Sequence, residues 1–70
     1  MYIVNIWLLD GTFVLAGRFS EPDAVSDALF MRGVENDAVD EKLEELFEEN
    51  SMFGVPDYAG GYKLSVKVCP

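Results

Sequence analysis

The sequence predicts an α+β two-layer sandwich, β-β-α-α-β, with two helices on one face of a three-stranded β-sheet. Three observations carry this. Met1–Phe19 is rich in β-branched and aromatic residues and is broken once, by Asp10-Gly11. Ser20–Arg32 and Asp37–Asn50 place apolar residues at helical spacing. Tyr62–Cys69 alternates strictly between apolar and polar.

Met1–Leu9 reads as the first strand, and Asp10-Gly11 as a two-residue hairpin turn with positive φ at both positions. Thr12–Phe19 then returns as the second strand. Such a turn pairs Leu9 with Thr12, Trp7 with Val14, Asn5 with Ala16 and Ile3 with Arg18. The core face then carries Tyr2, Val4, Ile6, Leu8, Phe13, Leu15, Gly17 and Phe19. The other face carries Ile3, Asn5, Trp7, Leu9, Thr12, Val14, Ala16 and Arg18.

Ser20 is placed to cap the first helix, with Pro22 in its first turn, Asp23 completing an S-x-x-D box and Gly33 as its stop. Val25, Ala28 and Leu29 form its apolar stripe, and Asn36 is the expected N-cap of the second helix. Asn50–Gly61 reads as loop, broken by Gly54, Pro56 and Gly60-Gly61. Its Met52, Phe53 and Tyr58 are expected to tuck down over the core, with a protruding contact loop as the alternative. In the last strand Tyr62, Leu64, Val66 and Val68 face the core, and Lys63, Ser65 and Lys67 join the mixed face of the hairpin. Arg18, Lys63 and Lys67 then surround Trp7 and Asn5. The near-continuous apolar first strand suits the centre, giving strand order 2-1-3; the direction of the third strand stays open.

Seventy residues allow a single domain, 1–70, with one small core. Cys69 is the only cysteine, which excludes an internal disulfide and a cysteine-based zinc site. Histidine is absent, and no P-loop, dinucleotide fingerprint, HExxH or nucleophile elbow occurs, so neither an enzyme nor a cofactor or metal site is expected. The formal charge of −8 argues against direct binding to nucleic acid or anionic membrane. No basic segment precedes an apolar stretch, and the longest apolar run, Ile6–Leu9, is far too short to span a bilayer. A cytoplasmic protein is expected.

The charge is concentrated. Residues 35–49 hold eight acids and one base. In the second helix Val39, Leu43, Leu46 and Phe47 form a core stripe, while Asp37, Asp40, Glu41, Glu44, Glu45, Glu48 and Glu49 occupy the opposite side with Lys42 as the only base. Its pairs Asp37–Glu41, Asp40–Glu44, Glu41–Glu45, Glu44–Glu48 and Glu45–Glu49 are all like-charged, costing together about 1–2.5 kcal/mol at low salt. Glu48 and Glu49 also stand in the last turn, where the helix dipole favours cations. Such a row is either the solvated face of a helix built from a good helix former or, since local rules are broken together, an acidic docking face for a basic partner. Successive acids at i and i+4 stand about 6 Å apart along the axis, in the range of phosphates along a strand.

With its acid-rich segment E-N-D-A-V-D-E-K-L-E-E-L-F-E-E (35–49), the chain resembles the small acidic anti-CRISPR proteins that bacteriophages make. The resemblance is one of size, charge and design and covers about a fifth of the chain. It implies a nucleic-acid mimic that inhibits a basic DNA- or RNA-binding protein, such as a CRISPR-Cas effector subunit, in the host bacterial cytoplasm. The acids of the second helix would then cap lysines and arginines that otherwise meet phosphate. Two other readings are open. One is an assembly module or homodimer joined through the sheet face around Trp7, Ile3 and Val14, with Phe53 and Tyr58 as further contacts. The other is a regulator that neutralises a basic protein without imitating nucleic acid.

Overall fold

The computed structural model describes residues 1–69. It is an α+β sandwich: β1 (Tyr2–Leu8), β2 (Phe13–Phe19), α1 (Pro22–Met31), α2 (Asp37–Glu49), β3 (Asp57–Ala59) and β4 (Tyr62–Val68). The sheet has four strands rather than three, in the order β2-β1-β4-β3, and every pairing is antiparallel. The added strand lies inside the stretch read as loop. Asp57, Tyr58 and Ala59 pair with Leu64, Lys63 and Tyr62 across the tight Gly60-Gly61 turn, at positive φ of 57° and 84°. Three residues are too few to display a period, so only pairing with β4 makes them a strand. The first strand is central, as its apolar run requires.

The hairpin differs at its tip. Gly11 has φ 93° while Asp10 stays at negative φ, so a turn left-handed at both positions does not form. Instead Gly11 N–H donates to Leu8 O (2.9 Å) and Leu8 N–H to Thr12 O (2.8 Å), closing a three-residue loop of Leu9, Asp10 and Gly11. Trp7 therefore faces Phe13 rather than Val14, and Leu9 is unpaired. Opposite Ile6 and Trp7 the extra residue is absorbed by a bulge at Val14 of β2, and the expected pairs Asn5–Ala16 and Ile3–Arg18 form. Because side chains alternate with period two, this slip exchanges two residues. Phe13, expected in the core, is 57% exposed, and Val14, expected outside, packs against the core.

Helix α1 starts later than its Ser20 suggests. Pro22 disfavours helical backbone at the residue before it, so Glu21 stays extended (φ −151°) and is the N-cap, without a side-chain cap. Its C-terminus closes with a Schellman pair: Gly33 N–H donates to Phe30 O and Val34 N–H to Leu29 O, each at 2.9 Å, with Gly33 at φ 79°. Helix α2 has the expected start and stripe. Asn36 Oδ1 accepts from Val39 N–H at 3.2 Å, and Asn50 ends the helix in left-handed backbone.

The helices lie on one face, α1 against β2 and α2 against β4 and β3. Between the layers Val4, Ile6, Leu15, Val25, Leu29, Val39, Leu43, Leu46, Phe47, Leu64 and Val66 form one core, and among the described residues no polar side chain is buried. Tyr2 clamps the end of α2, its ring 4.4 Å from that of Phe47 and its hydroxyl donating to Asn50 Oδ1. Among the described residues, no helix is long and apolar enough to cross a membrane.

Candidate functional site: two unlike faces

The core stripe of α2 turns its acids outward. Asp37, Glu41, Glu44, Glu45, Glu48 and Glu49 are exposed. Asp40 is not free: it is half-buried between the helices and accepts the Ser26 hydroxyl at 2.8 Å. Lys42 reaches Glu45 Oε2 at 3.4 Å and Asp57 Oδ2 at 3.6 Å, tying α2 to β3. Burial is the largest single influence on Lys42 and lowers its pKa; the charges of Asp57 and Glu45 and hydrogen bonds to both outweigh it, leaving the pKa raised.

The acidic surface is wider than α2. Asp10 and Asp57 apart, every acid of the chain lies between Glu21 and Glu49, on the two helices and their connector, where Arg32 and Lys42 are the only bases. Glu21 and Asp23 from the start of α1 meet Glu44 and Glu48 around a shallow hollow of ≈ 520 Å³, whose apolar floor includes Tyr2, Pro22 and Phe47. A second hollow of ≈ 310 Å³ between the helices is bordered by Asp27, Glu35, Asp37 and Asp40. Sequence spacing within α2 could not reveal these α1 contributions, because they depend on how the helices pack. The acids are spread out: among the described residues no three of them converge as a metal-holding group.

The opposite face of the sheet carries the other expected contacts. Registers align Phe13, Trp7, Lys63 and Tyr58 in one row across β2, β1, β4 and β3. Trp7 is half-buried, with Lys63 Nζ 5.5 Å from its ring centroid, whereas Tyr58 is 61% exposed. Four residues along the strands, Arg18, Ile3 and Lys67 form a parallel row, with Asn5 and Ser65 between the two.

Met52, Phe53 and Tyr58 do not plug the core. Phe53 is 85% exposed and Met52 69%. The segment before β3 is drawn instead along β4: Ser51 O accepts from Val68 N–H at 2.9 Å, and Gly54 O from the Ser65 hydroxyl at 2.6 Å. Gly54 (φ 60°) sits so close that a Cβ would stand 3.0 Å from Lys67 Cβ and 3.1 Å from Ser65 Oγ. The two helices already fill the core face, so this apolar segment attaches to the sheet from its other side. Phe13 is the aromatic that sequence reasoning missed here, since the bulge that turns it outward has no sequence signature.

No family model, curated protein or solved structure matches the chain.

Proposed function

We propose that this chain is a non-enzymatic binding protein whose acidic helical layer docks on the basic, nucleic-acid-binding surface of another protein. In this reading the exposed carboxylates of Glu41, Glu44, Glu45 and Glu48 imitate successive phosphates, and Asp37 and Glu49 extend the row. A CRISPR-Cas effector subunit in a bacterial cytoplasm is the partner we put first. Inhibition would be competitive with nucleic acid, steered by charge and weakened by salt.

One observation carries the reading. The chain gathers all but two of its acids on a single layer and leaves them almost unpaired, Lys42 being the only base in α2. Stability alone favours mixing signs on a helix surface. A surface that forgoes this fits a partner that supplies the missing cations.

The test is capture of CRISPR effector complexes on immobilised wild-type protein and on a Glu44→Lys/Glu45→Lys/Glu48→Lys variant, at low and moderate salt. Capture by wild type alone, fading with salt and competed by DNA, is the expected result. Equal capture by both baits would remove the acidic layer from the interaction.

A further inference from the structure

The sheet face turned away from the helices, covered along β4 by the segment that holds Gly54 against Ser65 and Lys67, is opposite in charge to the molecule as a whole. Its strands present Arg18, Lys63 and Lys67 and no carboxylate; the only acid within a strand, Asp57, turns to the helix side to meet Lys42. The formal charge of −8 sums over both faces and conceals this division. The acids stand on the helices behind the sheet, and exposed charges more than about 8 Å apart are largely screened at physiological ionic strength. An anion on the sheet face therefore meets three local cations more strongly than the acids behind the sheet.

From this partition and the aromatic row we infer that the open sheet face binds single-stranded nucleic acid, by stacking bases on Phe13 and Tyr58 and holding phosphates with Arg18, Lys63 and Lys67. Adjacent strands lie about 4.8 Å apart, so Phe13 on β2 and Tyr58 on β3 flank the Trp7–Lys63 pair across about 14 Å. Two aromatic rings with a cation between them suit a short run of unpaired bases, because every base offers a π-face. The Arg18–Lys67 row lies four residues along the strands, about 13 Å away, and Gly54 crosses the β4 side between the rows, so the nucleic-acid backbone would pass over β1 and β2 toward Arg18. Asn5, between the rows, offers an amide to a base edge.

Other occupants fit less well. A two-fold contact between copies through this face would bring both copies' Arg18, Lys63 and Lys67 together with no acid between them. A contact of one copy's acidic layer on another's sheet face is head-to-tail and leaves both ends open. An acidic protein segment would satisfy the cations and leave the ring faces without a stacking partner. This inference is independent of the acidic layer, and the two fail separately.

Trp7 is the only tryptophan and stands in the row, so its emission reports directly. The experiment titrates the full chain with an unlabelled twelve-nucleotide oligo-dT, a duplex of equal length and poly-glutamate. Oligo-dT is expected to quench Trp7, with the duplex and poly-glutamate far weaker. Affinity should fall with salt at a log–log slope of roughly −2 for three phosphate contacts. Phe13→Ala and Tyr58→Ala, both at exposed positions, should each weaken binding about tenfold or more with unchanged circular dichroism. The Glu44→Lys/Glu45→Lys/Glu48→Lys variant should retain oligo-dT binding even where capture of a protein partner is lost. No quenching at millimolar oligo-dT, equal binding of poly-glutamate, or indifference to both alanine substitutions would each overturn the inference.

Discussion

Asn36 and Gly60 lock the start of α2 to the β3–β4 turn. The Asn36 side chain spends both ends at once: Oδ1 caps the helix at Val39 N–H (3.2 Å), and Nδ2 donates to Gly60 O (2.9 Å). The contact needs a residue without a side chain at position 60. Its φ is 57°, and a Cβ there would lie only 2.2 Å from Asn36 Oδ1. A helix cap chosen by local chemistry thus becomes a fastener between the helical layer and the sheet.

Gly60→Ala is expected to cost about 2 kcal/mol or more, from left-handed backbone and displacement of the cap. Asn36→Ala alone should cost about 1–2 kcal/mol. The double variant should be less destabilised than the sum, because removing the amide removes the clash. Urea denaturation of the four species checks this. Strict additivity would mean that the two residues are not coupled.

The like-charged pairs of α2 should make stability rise with salt. Glu44→Lys/Glu45→Lys/Glu48→Lys is expected to melt at or above the wild-type temperature at low ionic strength, despite losing the Lys42–Glu45 contact. The gap should close near 1 M salt, where screening acts within about 3 Å. Thermal melts at several salt concentrations read this directly, and a markedly lower melting temperature for the variant would show that these acids stabilise the fold.

Leu43 is fully buried in the middle of the interlayer core. Leu43→Ala should cost about 2–5 kcal/mol, a large part of the stability of so short a chain. Tyr2→Phe keeps the ring against Phe47 and loses only the hydroxyl bonded to Asn50, so about 1 kcal/mol is expected. Chemical denaturation should rank the two variants in that order.

In the hairpin loop, the Thr12 side chain and then its backbone N–H hold the Asp10 carboxyl below the usual carboxylate range. A depressed folded-state pKa stabilises fully above the unfolded value, near 3.9, and that contribution disappears as pH falls through the folded value. Wild type should therefore be more stable than Asp10→Ala at neutral pH, with the difference shrinking below about pH 4. Denaturation midpoints across pH 2–7 test the sign; a difference that grows on acidification would reverse it.

Local information was sufficient for much of this molecule. The period of Val39, Leu43, Leu46 and Phe47 set both the length of α2 and the outward direction of its acids. The alternation in Tyr62–Val68 set the faces of β4, and Asn36 and Gly33 marked helix ends through chemistry within a few residues. The inner hairpin register was also legible, though for an incomplete reason: the three-residue loop and the Val14 bulge each shift the pairing by one, and the shifts cancel. What the tertiary structure decided lies where the energy comes from partners distant in sequence. Asp57–Ala59 becomes a strand only because β4 supplies its hydrogen bonds. Phe13 is turned out and Val14 in because the pairing of β2 with β1 shifts by one residue at the bulge, which no local spacing marks. Lys63 and Tyr58 meet Trp7 and Phe13 only when four strands are in register. The division of charge between an acidic helical layer and a basic sheet face was readable from the sequence; which acids of α1 join those of α2, and that Asp40 is drawn between the helices, required the fold, because only packing decides how the two helices meet.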